Sequence, residues 1–327
     1  MIKVSVIIPI YGVERFIERC VESLMHQTLE EVEFIFINDA TKDQSMAVLD
    51  KVIERYPQKK DYCQIITHET NKGLPAARNS GLTVAKGEYI FHCDSDDFVE
   101  PDMLECLYHE AITQKADIVW CDWFLSYQTS ERYMKQPSYA TSLEALKAMM
   151  GGAMKYNVWN KLAKRQLYTE HHITFPDGYG MGEDMTTMML FAHAKRVTYL
   201  PKAFYHYVQT NTTSFCKTYS ERHLNDLKFN INRITTFIHH KYGNSLDTEL
   251  GFLKLEAKFP FLISDGSNGR YDLWKSWYPE ANRFILQNKH ISTRSRLLQW
   301  LAAREQFWAV KLYHFIFLKV IYNILYH

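Results

Sequence analysis

The chain has 327 residues, of which 38 are basic and 37 acidic, giving a formal net charge of +1. This length allows one large domain and a smaller one, and the near-neutral balance argues against a nucleic-acid-binding surface. A hydrophobic content of 46% disfavours a disordered chain. The six cysteines form no C-x-x-C pair, and no leader-like segment precedes the apolar run at Val4, so we expect a reduced, cytosolic protein.

The first hundred residues alternate between strand-like and helix-like segments. Val4–Ile10 is a continuous apolar run, typical of a fully buried strand. Further strands are predicted at 33–38, 64–68 and 89–93, with helix patterns between them, one of which begins at Pro75. This alternation predicts an α/β fold with a doubly wound, Rossmann-like and mostly parallel sheet.

An acidic cluster of Asp94, Ser95, Asp96 and Asp97 ends the fourth predicted strand. Three carboxylates within four residues repel each other, and a divalent cation that also holds phosphate oxygens would relieve this repulsion. The alternative is a plain acidic turn that precedes a helix.

Polar residues also follow the other predicted strands, namely Tyr11, Asp39 and the loop 71–78. Because ligands of such sheets bind outside the carboxyl ends of the strands, these residues and the acidic cluster predict one ligand site. Neither G-x-G-x-x-G nor a P-loop follows the first strand, so phosphate binding is expected from a metal ion and Arg78.

Four motifs resemble those of family 2 glycosyltransferases with the GT-A fold. They are V-S-V-I-I-P-I-Y at 4–11, I-N-D-A-T-K-D at 37–43, N-K-G-L-P-A-A-R-N at 71–79 and D-S-D-D at 94–97, in the family's order and spacing. The resemblance implies a GT-A nucleotide-sugar-binding and catalytic domain over residues 1–215. Residues 216–327 are then expected to form a helical C-terminal region.

The resemblance also implies roles for single residues. Nucleotide-sugar binding falls on Pro9, Tyr11, Asp39, Asn71, Gly73, Ala77, Arg78, Asp94 and Ser95. Asp96 is the implied ligand of Mg²⁺ or Mn²⁺, and His206 is a candidate second ligand, with a structural histidine as its alternative. The implied donor is a UDP-sugar, and the implied acceptor is a glycan or a lipid-linked glycan.

Glu183 and Asp184 open a predicted helix after W-N-K-L at 159–162 and F-P-D-G at 175–178. Such a pair most simply favours the helix dipole. In many members of the family the Asp at this place resembles the general base, which implies Asp184 as catalytic base, with Glu183 supporting it or reaching the acceptor or the metal, and inversion at the anomeric carbon. The aromatic strand predicted at 117–127 either lines the acceptor side or packs beneath a helix.

Beyond residue 216 the sequence predicts helices. Apolar residues at every third or fourth position from Val310 to Ile324 form one face, and Lys311 and Lys319 lie opposite. This pattern is typical of a helix at a membrane interface, or of one packed on its own domain or a partner. We expect a cytoplasmic protein, peripheral on the inner face of the cell membrane if the first reading holds.

Two rival functions stay open. A sugar-nucleotidyltransferase has a similar sheet but needs a glycine-rich basic loop where this chain has Tyr11-Gly12-Val13-Glu14. A catalytically silent scaffold, binding a nucleotide sugar or a partner transferase, would have no need of Asp184 as a base. The prediction is therefore a metal-dependent, inverting hexosyl- or N-acetylhexosaminyltransferase of capsule, lipopolysaccharide or other surface-glycan assembly.

Overall fold

The structure is a computed structural model that describes residues 1–211, 220–263 and 270–316. The chain divides into two compact units, one formed by Met1–Ala145 with Tyr156–Ile234, the other by Leu146–Lys155 with Thr235–His327. All the strands and candidate site residues lie in the first unit. The domain boundary expected near residue 215 stays a prediction.

The strands of the described residues form one sheet in the order β3-β2-β1-β4-β8-β6-β9-β5, with β7 paired to β6. Their bounds are β1 (Val4–Ile10), β2 (Val32–Asn38), β3 (Cys63–Thr67), β4 (Tyr89–His92), β5 (Phe98–Val99), β6 (Ile118–Ser126), β7 (Glu131–Met134), β8 (Lys161–Lys164) and β9 (Val197–Val208). The first four strands along the sheet are parallel, as predicted. β8 is antiparallel to both β4 and β6, so the sheet is mixed beyond β4.

Seven α-helices lie within the described residues 1–211: α1 (Ile17–Met25), α2 (Ser45–Glu54), α3 (Leu74–Val84), α4 (Met103–Gln114), α5 (Ser142–Met150), α6 (Arg165–Glu170) and α7 (Thr186–His193). The later described segments contain α8 (Glu221–Tyr242), α9 (Asp247–Lys258), α10 (Pro260–Ile263), α11 (Tyr271–Ser276), α12 (Thr293–Ala303) and α13 (Phe307–His314). Short 3-10 helices lie at Pro57–Tyr62, Glu183–Met185, Gly243–Leu246 and Pro279–Gln287. Between 220 and 316 the described residues contain no strand, which confirms a helical C-terminal region.

The predicted amphipathic face begins in α13 and continues past residue 316, outside the described residues. Within α13, Val310 is fully buried, whereas Trp308 and Leu312 are exposed. No helix in the described segments has the length and apolar character needed to cross a bilayer.

The register of β1 brings the predicted site residues to one edge of the sheet. Every residue of β1 is buried, as its continuous apolar run predicted. Ile10 pairs with Asn38 in the parallel neighbour β2, so Tyr11 and Asp39 both leave the sheet at its carboxyl edge. β4 ends at the same edge, and the acidic turn follows it.

Helix α3 packs unusually close to the sheet. A Cβ atom added to Gly81 would lie 2.5 Å from Cγ2 of Ile7 and 3.1 Å from Cδ1 of Ile37. Only glycine therefore permits this separation of helix and sheet. Arg78 lies three residues earlier on the same helix and is only 1% exposed, so the close approach also sets the depth of its side chain.

Candidate active site

The carboxylate of Asp39 organises the loop that leads into α3. It accepts hydrogen bonds from the backbone N–H groups of Lys72 and Gly73, both at 2.8 Å, and lies 2.7 Å from Nδ1 of His68. The side-chain amide of Asn71 donates to the carbonyl of Asp39 at 3.3 Å. The structure thus brings Asp39, Asn71 and Gly73 together, and adds His68, which the motif comparison did not single out.

The remaining residues predicted on the nucleotide side differ in accessibility. Pro9 lies within buried β1, Ala77 is fully buried in α3, and Ser95 is buried in the acidic turn. Tyr11 is 53% exposed just beyond β1. Among these four, Tyr11 therefore offers the broad surface on which a flat ring could lie, while the others shape the edge beneath it.

A buried arginine joins the two acidic segments. Nη1 of Arg78 donates to Oδ1 of Asp184 at 2.5 Å and lies 3.5 Å from Oε1 of Glu183, while Nη2 donates to Oδ1 of Asp94 at 3.1 Å. Its guanidinium also lies 5.3 Å from the ring centre of Phe175. One positive charge therefore contacts three carboxyl groups that come from two segments far apart in the sequence, the acidic turn and the Glu183–Asp184 pair.

This excess of carboxyl groups changes their protonation. Burial, with the charge of Asp184, raises the pKa of Glu183 to about 8. Burial also raises the pKa of Asp94 to about 6, against the lowering effect of Arg78. Burial alone would lower the pKa of Arg78, but the charges of Asp184 and Asp94 raise it. At neutral pH the cluster therefore contains a charged guanidinium and a protonated Glu183.

The acidic turn itself is divided between two roles. Asp97 is 1% exposed and accepts hydrogen bonds from the hydroxyl of Tyr205 and the N–H of Val208, both at 2.7 Å. These contacts connect the turn to β9, so Asp97 has a structural role. Asp96 is partly exposed and accepts one hydrogen bond at 2.8 Å from the side-chain amide of Asn211.

The donor chemistry of this turn fits a divalent cation. No three His, Cys, Asp or Glu side chains within 1–211, 220–263 and 270–316 form a group that could hold a metal ion. Mg²⁺, however, is commonly bound by one or two carboxylates together with substrate phosphate oxygens, and Mn²⁺ also prefers oxygen ligands. The partly exposed carboxylate of Asp96 at the edge of the sheet suits that arrangement.

His206 has the contacts of a structural histidine. Its Nε2 lies 2.8 Å from Oε1 of Glu100 and its Nδ1 lies 2.7 Å from Oε1 of Glu131, while its ring stacks on Phe98. Tyr205 reaches the acidic turn, and successive side chains of a strand point to opposite faces, so His206 points away from that turn. The structure does not bring His206 into contact with Asp96, and these contacts favour the structural alternative.

Buried polar and aromatic groups lie behind the site. Lys161 in β8 donates to the carbonyl of Asn157 at 2.7 Å and to Oδ1 of Asn160 at 2.8 Å, and burial lowers its pKa to about 7. Trp120 and Trp123 of β6 are 0% and 6% exposed, as expected for the packing alternative. The W-N-K-L motif indicated this region, but the burial of Lys161 depends on the position of β8 between β4 and β6.

The fold is that of the GT-A class of sugar transferases. A crystal structure of S. aureus TarS residues 1–349, in complex with UDP-GlcNAc, superimposes with a TM-score of 0.68 over 95% of this chain and 90% of that chain, at 19% sequence identity. The sequence profile described as "Glycosyl transferase family 2" matches residues 5–185, more than half of the chain. The protein belongs to this family.

Curated relatives match about two thirds of the chain. The Bacillus subtilis protein named "Uncharacterized glycosyltransferase EpsJ" is 33% identical over 62% of this chain and 60% of its own length. The B. subtilis "Putative glycosyltransferase EpsH" is 29% identical over 67% of this chain and 64% of its own length. The alignments thus span somewhat less than two thirds of these relatives.

Proposed function

We propose that this chain is a metal-dependent, inverting glycosyltransferase that moves a hexosyl or N-acetylhexosaminyl group from a UDP-sugar to an acceptor hydroxyl. The observation that carries the proposal is the Arg78 contact set, which joins the acidic turn to Glu183 and Asp184. Asp94, proposed to bind the donor, and Asp184, proposed to accept a proton, thereby both contact the buried Arg78. Family membership and the UDP-GlcNAc complex of TarS support the donor class.

On the donor side, Asp39 holds the loop 71–73 in place and Tyr11 offers an exposed ring to the uracil base. The acidic turn then lies along the same edge, where the ribose and diphosphate of the donor would extend. Asp94 is placed toward the ribose, and Asp96 would hold Mg²⁺ or Mn²⁺. When bound there, the cation supplies positive charge that stabilises the departing diphosphate.

On the acceptor side, Asp184 is the proposed base. Arg78 binds its Oδ1 at 2.5 Å, which fixes the carboxylate and leaves Oδ2 for the acceptor hydroxyl. As the hydroxyl oxygen attacks the anomeric carbon, its proton passes to Asp184, and the bond to the diphosphate breaks on the opposite face. This single displacement inverts the anomeric centre. The protonated Glu183 adds no second negative charge beside the base at neutral pH.

The biological setting is proposed from the relatives. A Bacillus spizizenii relative, 29% identical over 63% of this chain, is named "Poly(ribitol-phosphate) beta-glucosyltransferase", and another from Pasteurella multocida is named "Chondroitin synthase". Such names support assembly of a surface glycan, with a glycan or lipid-linked glycan as acceptor. We place the protein in the cytoplasm, with its C-terminal helix as a peripheral contact to the inner membrane face.

The test is release of UDP from a panel of UDP-sugars, with and without Mn²⁺. We expect slow hydrolysis of one donor, lost with Asp96→Ala. With an acceptor present, Asp184→Asn should lower kcat by about 10²–10⁴-fold, because it removes the base, and should leave UDP affinity unchanged. Exposed Asp50 on α2 provides the matched control, Asp50→Asn, which should leave both quantities unchanged.

Four outcomes would contradict the proposal. Absence of UDP binding at any metal concentration would exclude the donor site. UDP binding unaffected by Mn²⁺ and by Asp96→Ala would exclude the metal role. Transfer that survives Asp184→Asn undiminished would exclude Asp184 as base, and UDP binding without any turnover across acceptors would favour the silent scaffold.

A further inference from the structure

Two exposed aromatic rings stack on each other, one of them on the loop that precedes the proposed base. The rings of Tyr179 and Phe229 have centroids 3.6 Å apart and an interplanar angle of 4°. Tyr179 is 38% and Phe229 37% exposed, although each ring covers one face of the other. Aromatic side chains usually bury such surface, so a parallel pair that stays open to solvent is an unused apolar surface.

The pair is held in place by buried polar contacts. The N–H of Gly180 donates to Oδ2 of Asp226 at 3.1 Å, and the side-chain amide of Asn230 donates to the carbonyl of Met181 at 2.9 Å. Asp226 and Asn230 are 5% and 0% exposed, and they flank Phe229 on α8. The loop that carries Tyr179 is therefore fixed against the helix turn that carries Phe229.

The same loop leads directly to the proposed base. The N–H of Glu183 donates to the carbonyl of Gly180 at 3.0 Å, and the N–H of Met185 donates to the carbonyl of Gly182 at 3.0 Å, which closes the 3-10 turn that contains Asp184. Asp184 follows Tyr179 after five residue steps along the chain, a distance of at most about 17 Å for an extended chain and less for a turn. A ligand of one or two sugar rings would reach from the aromatic pair to the base.

We propose that Tyr179 and Phe229 form the acceptor subsite and that it binds a pyranose ring. One face of a pyranose with equatorial hydroxyls presents only C–H groups, whose partial positive charge suits the negative face of an aromatic ring. Exposed Asn225 lies one helical turn before Phe229 and supplies an amide for the ring hydroxyls at the edge. The proposal rests on the glycosyltransferase function above and specifies its acceptor as a cyclic sugar.

The test uses saturation-transfer NMR with two probes, methyl β-D-glucopyranoside and the open-chain polyol ribitol, in the presence of UDP and Mn²⁺. We expect transfer to the ring C–H protons of the glucoside and none to ribitol. Tyr179→Ala and Phe229→Ala should each weaken glucoside binding about tenfold, as loss of about 1.4 kcal/mol of stacking predicts. Tyr179→Phe, which keeps the aromatic ring, should retain glucoside binding.

Tyr62 is the matched control, because it is a tyrosine of similar exposure, 40%, located in the 3-10 helix before β3. Tyr62→Ala should leave glucoside binding unchanged. Absence of transfer to the glucoside in the wild type, equal transfer to ribitol, or undiminished binding in both alanine variants would overturn the subsite.

UDP titration of the same variants separates this proposal from the one it rests on. UDP binding that persists while the glucoside fails to bind would overturn the aromatic subsite alone. Loss of UDP binding in the wild type would instead overturn the transferase function.

Discussion

Asp39 and Asp94 follow strands β2 and β4 at the same edge of one sheet, yet their surroundings are opposite. The carboxylate of Asp39 is matched by two backbone N–H groups and His68. The carboxylate of Asp94 shares one guanidinium with Glu183 and Asp184. Identical side chains at equivalent places therefore differ in their surroundings: the carboxylate of Asp39 fixes the backbone of the following loop, whereas Asp94 lies in a cluster with more carboxyl groups than the guanidinium can balance.

The largest effect on stability is expected from Arg78→Met, which removes the guanidinium that Asp94, Glu183 and Asp184 share. Three carboxyl groups would then lose the buried guanidinium that contacts all of them, and breaking a buried ion pair typically costs about 3–5 kcal/mol in the free energy of unfolding. Urea unfolding at pH 7 measures the change.

Arg55 is the control for that variant. It pairs with Glu18 and Glu22, each at 2.9 Å, but its side chain is 47% exposed. Arg55→Met should therefore cost at most about 1 kcal/mol. Equal losses in the free energy of unfolding for the two variants would show that the buried ion pairs of Arg78 stabilise the fold no more than exposed ones do.

Substitution of Asp39, whose carboxylate is matched by hydrogen-bond donors, should lower stability less than substitution of Arg78. Asp39→Ala leaves the N–H groups of Lys72 and Gly73 without their acceptor, and an unsatisfied buried group costs about 1–3 kcal/mol. We expect a stability loss in that range, measured by urea unfolding, together with weaker UDP binding because the loop loses its shape. Asp102→Ala, which removes an exposed pair with Lys202, should change neither; a similar loss there would contradict the role given to Asp39.

A further expected effect is on the pH dependence of stability. The pKa of Glu183 is about 8 in the folded protein against a usual 4.5, so between these values the folded state binds a proton that the unfolded chain has lost. Stability contributed by this proton is present below about pH 4.5 and is lost as pH rises to 8.

Glu183→Gln should therefore flatten the decline of the melting temperature between pH 5 and 8, measured by thermal unfolding. Some decline should remain, because the raised pKa of Asp94, about 6, acts in the same direction. Exposed Glu54 is the control, and Glu54→Gln should leave the slope unchanged. An unaltered slope with Glu183→Gln would refute the protonated state of Glu183.

The sequence predicted the parallel half of the sheet because β1 to β4 are short apolar runs whose ends carry distinctive motifs. It also identified the acidic turn and the pair Glu183 and Asp184. It did not reveal that Arg78 joins them, because a contact across 106 residues leaves no local pattern. The sequence also did not reveal the orientation of His206, because its pattern predicts a strand but does not show which face of that strand meets the acidic turn.

Gly81 affects the candidate site although it contributes no charged group there. It carries no side chain, but any larger residue there would push α3 away from Ile7 and shift Arg78 out of its place between the carboxylates. A saturation mutagenesis screen for lost transfer would thus rank this position with the active-site residues. For anyone altering the proposed donor site, the spacing between α3 and β1 is therefore a fixed dimension, and substitutions are best made at the exposed residues of the sheet edge.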